Sequence, residues 1–153
     1  MRLLFSSVLL FVIAIGNPAA AQQGYAQLSA DVLKLVNEHR AGMGLGSLQM
    51  NEVMSAAAEK HSRNMGANRI PFGHDGFDAR MAGIRKQVKP ANAWAENVAY
   101  SSDDAKEVVA MWLHSPGHRK NIEGNYNTTG IGIAKGKDGN YYYTQIFFRK
   151  GSE

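Results

Sequence analysis

Apolar residues at Leu28, Val32, Leu35 and Val36 recur every three to four positions, and His39 falls on the same stripe. That period predicts an amphipathic helix. Ser29 is placed to cap it, and Gly42-Met43-Gly44-Leu45-Gly46 to end it. Leu45 and Leu48 are expected to plug the core from the loop. A second helix is predicted over residues 51–66, capped by Asn51, with Met54, Ala57, Ala58, His61 and Met65 on one face. Its small alanines predict close packing against another element. For His39 and His61, which share apolar stripes, a hydrogen-bonded role in the core or at its boundary is expected ahead of ligation. The methionines on this face are read as core.

Residues 69–90 are irregular and rich in Gly, Asp and Arg, with one short helix expected over 77–84. Residues 94–100 read as a short strand or extended segment. Asp104-Ala105-Lys106-Glu107 has the pattern of a capping box, opening a helix that carries Val108, Met111 and Trp112 and stops before Pro116. The pattern then changes period. Residues 129–135 and 141–149 are rich in β-branched and aromatic side chains, and Gly136-Lys137-Asp138-Gly139-Asn140 between them predicts a hairpin turn. Imperfect alternation over 141–148 predicts a strand buried partly on both faces. Helices first and strands last predict an α+β layering rather than a βαβ repeat.

The chain begins with a processing signal. Met1-Arg2 is a short positive start, residues 3–15 are apolar apart from Ser6 and Ser7, and Ala19-Ala20-Ala21 supplies small residues for cleavage. Residues 1–21 are therefore expected to be a signal peptide and 22–153 one secreted domain. The apolar run is short for a membrane span, so no span is expected in the mature chain. There is no cysteine, so packing alone must hold an exported domain together. The net charge is +4 and thinly spread, with a small group at Arg80, Arg85, Lys86 and Lys89. A solvated face is the preferred reading, ahead of attraction to an anionic wall or membrane. No basic helix interleaved with aromatics points to nucleic acid.

The chemistry gathers in two stretches. Ala95-Glu96-Asn97-Val98-Ala99-Tyr100 holds a carboxylate, and Ser115-Pro116-Gly117-His118-Arg119 holds a histidine after a helix break. A third stretch, Phe72-Gly73-His74-Asp75-Gly76, sets another histidine between glycines. Two imidazoles on glycine-flanked turns plus a glutamate predict a polar site built on loops. Two neutral imidazoles can bind Zn2+ with Glu96 or a water completing the shell. The other reading is a buried network in which Glu96 pins the rings, and it is preferred to catalysis. The H-E-x-x-H spacing of a helical metalloprotease is absent. Ser115 and Ser62 are candidate nucleophiles by sequence proximity alone, and neither sits in a nucleophile elbow.

These pieces resemble the CAP superfamily (cysteine-rich secretory proteins, antigen 5, plant pathogenesis-related protein 1), also called the SCP domain, in its cysteine-free bacterial branch. The resemblance rests on several spaced stretches in order. They are Asn37-Glu38-His39-Arg40 with Gly44-Leu45 and Leu48, Ala57-Ala58-Glu59-Lys60-His61-Ser62, Phe72-Gly73-His74, Ala95-Glu96-Asn97-Val98-Ala99, Trp112 with Ser115-Pro116-Gly117-His118-Arg119-Lys120-Asn121-Ile122, Gly130-Ile131-Gly132-Ile133-Ala134, and Tyr143-Thr144-Gln145-Ile146-Phe147.

The resemblance implies a three-layer α-β-α sandwich with a central antiparallel sheet. It also implies a cavity lined by two His and two acidic residues. His74, Glu96 and His118 match three of these. The fourth place, three residues after Trp112, is Ser115 here, and His114 is the candidate to reach the cavity instead. The expected protein is a secreted or periplasmic monomer that binds a lipid or cell-envelope component. It is also expected to hold a divalent cation such as Zn2+ at His74 and His118. The alternative is an extracellular hydrolase acting on peptide or cell-wall material. The family resemblance does not decide between them.

Overall fold

The computed structural model describes residues 18–89 and 91–151. Most of the expected signal peptide therefore lies outside the described residues. Nine elements follow in order: α1 (Pro18–Gly42), β1 (Gln49–Met50), α2 (Glu52–Gly66), α3 (Phe77–Arg85), β2 (Ala91–Ser101), α4 (Ala105–His114), α5 (Pro116–Ile122), β3 (Thr128–Lys135) and β4 (Tyr141–Lys150). The sheet runs β1-β3-β4-β2. β4 lies antiparallel to both β3 and β2, and the two-residue β1 joins the far edge of β3 in parallel. The central sheet is thus antiparallel except at that short edge.

Alternation along β4 builds the layers. Tyr143 and Phe147 pack on one face with Val32 and Val36 of α1, Val108 and Trp112 of α4, and Ile122 of α5. Ile146 and Phe148 pack on the other face with Met54 and Ala58 of α2 and Met81 and Ile84 of α3. Successive strand residues point to opposite faces, and β4 is buried on both, as its broken alternation predicts. The result is the expected three-layer α-β-α sandwich.

β3 shows why α2 carries alanines. A methyl group at Gly132 would lie 1.9 Å from the backbone nitrogen of Glu59, and one at Gly130 would lie 2.3 Å from the carbonyl carbon of Met54. The helix backbone rests directly on these two strand residues, while Ile131 and Ile133 fill the opposite core. Glycine is the residue that permits such an approach.

Several local expectations are corrected. Ser29 caps nothing; it lies within α1, which starts eleven residues earlier and passes through the expected cleavage point. Asn51 does cap α2, accepting a hydrogen bond from the Met54 amide at 3.1 Å. Asp104 caps α4 through the Lys106 amide at 2.8 Å, but Glu107 bonds the Ser102 hydroxyl instead of closing a capping box. The chain does not turn at Ser115-Pro116-Gly117. A second short helix starts there, with Pro116 at its first turn, where a missing amide N–H costs nothing.

Candidate functional site

The site forms round the free edge of β2. Glu96 and Asn97 are neighbours on that strand and point to opposite faces, and both are buried. Each recruits one side of the sandwich. On the α3 side, Arg80 donates from Nε to Glu96 Oε2 at 2.8 Å and from Nη2 to Oε1 at 2.7 Å. Its Nη1 donates to the Asp75 carbonyl at 3.1 Å. His74 approaches the same carboxylate, with Nδ1 at 2.9 Å from Oε1. Because a carboxylate only accepts, this nitrogen carries the proton. The His74 side chain is 51 % exposed and that of Glu96 is 1 % exposed. Gly73 and Gly76, at φ 142° and φ 74°, bracket His74. Those values lie where side-chain-bearing residues are rare, so the loop that presents the ring depends on both glycines.

On the α5 side, Asn97 donates to the backbone carbonyl of His118 at 3.1 Å. Asn121 donates to Asn97 Oδ1 at 2.9 Å and to the Glu96 carbonyl at 3.3 Å. These bonds tie α5 to the strand edge and bring His118 within electrostatic reach of His74. Burial first, and then the charge of His74, lower the pKa of His118. Its imidazole therefore stays neutral further into the acid range than an ordinary histidine. His118 sits on a helix, contrary to the expectation of a glycine-flanked turn.

The remaining predicted site residues do not join this group. His114 is exposed on the last turn of α4, and its Nδ1–H donates to the Ala110 carbonyl at 2.7 Å. Ser115 ends α4 and precedes α5, with no side-chain capping bond. Ser62 is fully buried and donates to the Gly132 carbonyl at 2.9 Å. A serine so committed is not free to attack a substrate.

His39 and His61 lie at the boundary and in the core as expected, but His61 Nε2 is buried without a hydrogen-bond partner among the described residues. His39 Nε2 lies 2.9 Å from Glu123 Oε1, and His61 Nδ1 lies 3.1 Å from Thr144 Oγ1. Sequence reasoning missed Arg80, Asn97 and Asn121. The available signal was the position of Asn97 beside Glu96 in an otherwise apolar strand, and of Arg80 within the turns of helix that follow His74.

A tightly held zinc ion asks for more protein ligands than this donor set supplies. A catalytic zinc takes three protein ligands and a structural one takes four. Among the described residues no group of three or more His, Cys, Asp or Glu is disposed to hold a metal ion. Glu96 is bound by a guanidinium that it would have to release. The residues offer two imidazoles, fewer protein ligands than a catalytic or structural zinc centre takes.

A small α-β-α sandwich with a buried carboxylate, an arginine and two histidines at a sheet edge defines the class of protein. The description "CAP: Cysteine-rich secretory protein family" matches residues 33–147, and the chain belongs to that family. Its similarity extends to the uncharacterized protein YkwD of Bacillus subtilis strain 168, with 35 % identity over 125 residues, 78 % of this chain and 46 % of that protein. A second relative, the uncharacterized membrane protein YlbC of the same organism, is 28 % identical over 78 % of this chain and 34 % of its own length. The chain thus spans less than half of either relative. Among solved structures, an extracellular SCP-domain protein from Bacillus anthracis str. Ames superposes with a TM-score of 0.75 at 26 % identity, covering 88 % of this chain and 44 % of that one. An outer surface protein from Borrelia burgdorferi gives 0.71 at 21 % identity, covering 82 % and 94 %, and shares the fold. Among the described residues no helix is long and apolar enough to cross a membrane.

Proposed function

We propose that this CAP-domain protein works outside the cytoplasm as a binding protein for a lipid or cell-envelope component. The observation that carries this reading is the state of Glu96. Its two oxygens are taken by Arg80 and His74, inside the protein. A carboxylate paired in this way is a poor general base, because the guanidinium stabilises its ionised form. The serine candidates supply no nucleophile, with Ser62 buried and Ser115 at a helix junction. An extracytoplasmic place is supported by the signal pattern of residues 1–21 and by similarity to proteins described as extracellular or outer-surface.

The test is co-sedimentation of the exported protein with phosphatidylethanolamine–phosphatidylglycerol vesicles and with purified cell-wall sacculi, together with assays for released peptides and muropeptides. Binding without release is the expected result. Release that disappears in His74→Ala would overturn the reading in favour of hydrolysis.

A second ligand class has its own support. The half-exposed His74 ring uses Nδ1 on Glu96, and burial favours the neutral form of His118. Two neutral imidazoles could hold a divalent cation weakly, with solvent filling the other positions. Bound there, a cation would supply charge at the mouth of the site, and Glu96 would orient the His74 ring.

A further inference from the structure

On the α2 side of the sheet, beyond Glu96 along β2, three aromatic rings meet at the surface. Tyr100 of β2 and Tyr142 of β4 are register partners, with ring centroids 6.0 Å apart. Phe72, from the loop after α2, stands nearly at right angles to Tyr100, 5.1 Å away at 83°, and 6.4 Å from Tyr142. Tyr142 is the anchored ring. Its hydroxyl donates to Asp138 at 3.0 Å, and Gly136 leaves it room that a Cβ would fill. The other two are open: Phe72 is 49 % and Tyr100 51 % exposed. Their edge-to-face contact fixes both rings, so the surface they offer is flat and preformed.

Apolar rings left bare in water cost free energy, and a contiguous pair of them marks a place of contact. Size limits the partner. A Phe or Tyr buries about 150–250 Å2 when enclosed, so the two half-exposed rings offer on the order of 200 Å2. A stable protein interface takes about 800 Å2 from each side. The patch suits something the size of a sugar ring. A pyranose with equatorial substituents turns a face of C–H bonds outward, and these weakly positive hydrogens are drawn to the negative face of an aromatic ring. A chain with equatorial links repeats that face unit after unit.

The pocket beside the rings selects further. It has a volume of about 340 Å3 and shares Phe72 and Tyr142 with the patch. Met65, Ile70 and Pro71 line it with apolar groups, and Asn68 and Arg69 add an amide and a guanidinium. Arg69 gives one N–H to Asn64 at 3.5 Å and keeps other donors. An acetamido group matches this mixture. Its methyl covers the apolar lining, and its carbonyl accepts from Asn68 or Arg69. A hydroxyl in its place leaves the lining uncovered, and a fatty chain leaves the polar groups without partners. Phe72 stands two residues before His74, and Tyr100 lies four residues after Glu96 on the same strand face, about 13 Å along it. The patch is thus continuous with the candidate site.

We propose that Phe72, Tyr100 and the adjoining pocket bind a β-linked N-acetylhexosamine chain, with one sugar face stacked on the exposed rings and its acetamido group in the pocket. This rests on the binding reading above and names its envelope ligand as a wall glycan.

The experiment titrates the exported protein, 15N-labelled, with tetra-N-acetylchitotetraose and with cellotetraose, which keeps the β-1,4-linked rings and carries hydroxyls in place of the acetamido groups. The acetylated chain is expected to bind about tenfold or more tightly than cellotetraose and to shift the amide resonances of Phe72 and Tyr100. Phe72→Ala and Tyr100→Ala, both at exposed positions, should each weaken it by about tenfold or more, and Tyr100→Phe should keep it. Asn68→Gly/Arg69→Ala removes both polar side chains, with a glycine at ease at φ 55°, and should narrow the gap between the two sugars. Equal binding of the two sugars, binding unmoved by both single alanine variants, or a gap unchanged in the double variant would overturn the proposal. So would self-association that Phe72→Ala abolishes with no sugar bound, which would make this face an interface between copies. If the acetylated chain fails while vesicles or sacculi still bind, this assignment fails alone. If nothing binds, the binding reading falls with it.

Discussion

Arg80 holds both oxygens of Glu96, at 2.7 and 2.8 Å, from a helix on one face of the sheet edge that carries the carboxylate. The Glu96 side chain is 1 % exposed and that of Arg80 11 % exposed. A pair this buried is worth little against an apolar replacement of both partners, yet breaking it from one side strands a charge. Arg80→Met is expected to lower the unfolding free energy by about 3–5 kcal/mol. The double variant Arg80→Met/Glu96→Gln is expected to recover a large part of that loss. Urea titrations of the two variants check this, and an Arg80→Met midpoint equal to the parent's would remove the pair from the account of stability.

The metal expectation is tested by melting. Zn2+ is expected to stabilise the folded protein by about 1–3 kcal/mol at saturation, because it binds the native state in preference to the unfolded one. His74→Ala/His118→Ala should abolish that gain, and His39→Ala should keep it. The gain should fade as imidazoles protonate below about pH 6.5, with the lowered pKa of His118 extending its share toward acid. A double variant stabilised as much as the parent would place the cation elsewhere.

Acid should weaken the fold through His61. The unfolded chain takes up its proton near 6.5, and the folded chain only at about 4. Between those values the unfolded state holds more protons, so stability falls as pH falls through the window and levels off below it. The loss attributable to this residue is about 3 kcal/mol. His118, shifted in the same direction, adds to it. His61→Gln should flatten the slope between neutral pH and about 4, measured by denaturation at fixed ionic strength. A variant with the parent's slope would assign the acid sensitivity to other groups.

Arg40 is 2 % exposed and holds backbone carbonyls only. It donates to Gly46 and Tyr126 at 2.9 and 3.0 Å, and to Ile122 and Gly124 at 2.6 and 2.9 Å. It joins the end of α1 to the segment between α5 and β3. Arg40→Met should cost about 3 kcal/mol or more, since it leaves buried carbonyls unpaired. Arg40→Lys should rescue little, because a single ammonium cannot reproduce the guanidinium fork. Near-parental stability in Arg40→Lys would show that charge alone suffices there.

Local order was legible in the chain. Spacing on α2 placed Met54, Ala58, His61 and Met65 on one buried face, and Asn51 as its cap, because helix period and capping act within a few residues. The hairpin over residues 136–140 was legible for the same reason. So was burial of β4 on both faces, from its imperfect alternation. Pro116 was read as a stop although it begins α5, because proline terminates one helix and starts another with equal ease.

By itself the sequence determined the α+β layering, the helix and strand periods, and the three stretches that contribute His74, Glu96 and His118. Tertiary structure decided what those stretches do together. Arg80 stands sixteen residues before Glu96, and Asn121 twenty-four after Asn97. Only the packing of α3 and α5 round the edge of β2 brings them into bonding distance. The hydrogen-bonded group of His61, Ser62, Thr144 and Gly132 likewise draws on three separate elements. Hydrogen-bond direction depends on every partner being present at once, and no pattern along one segment contains that information.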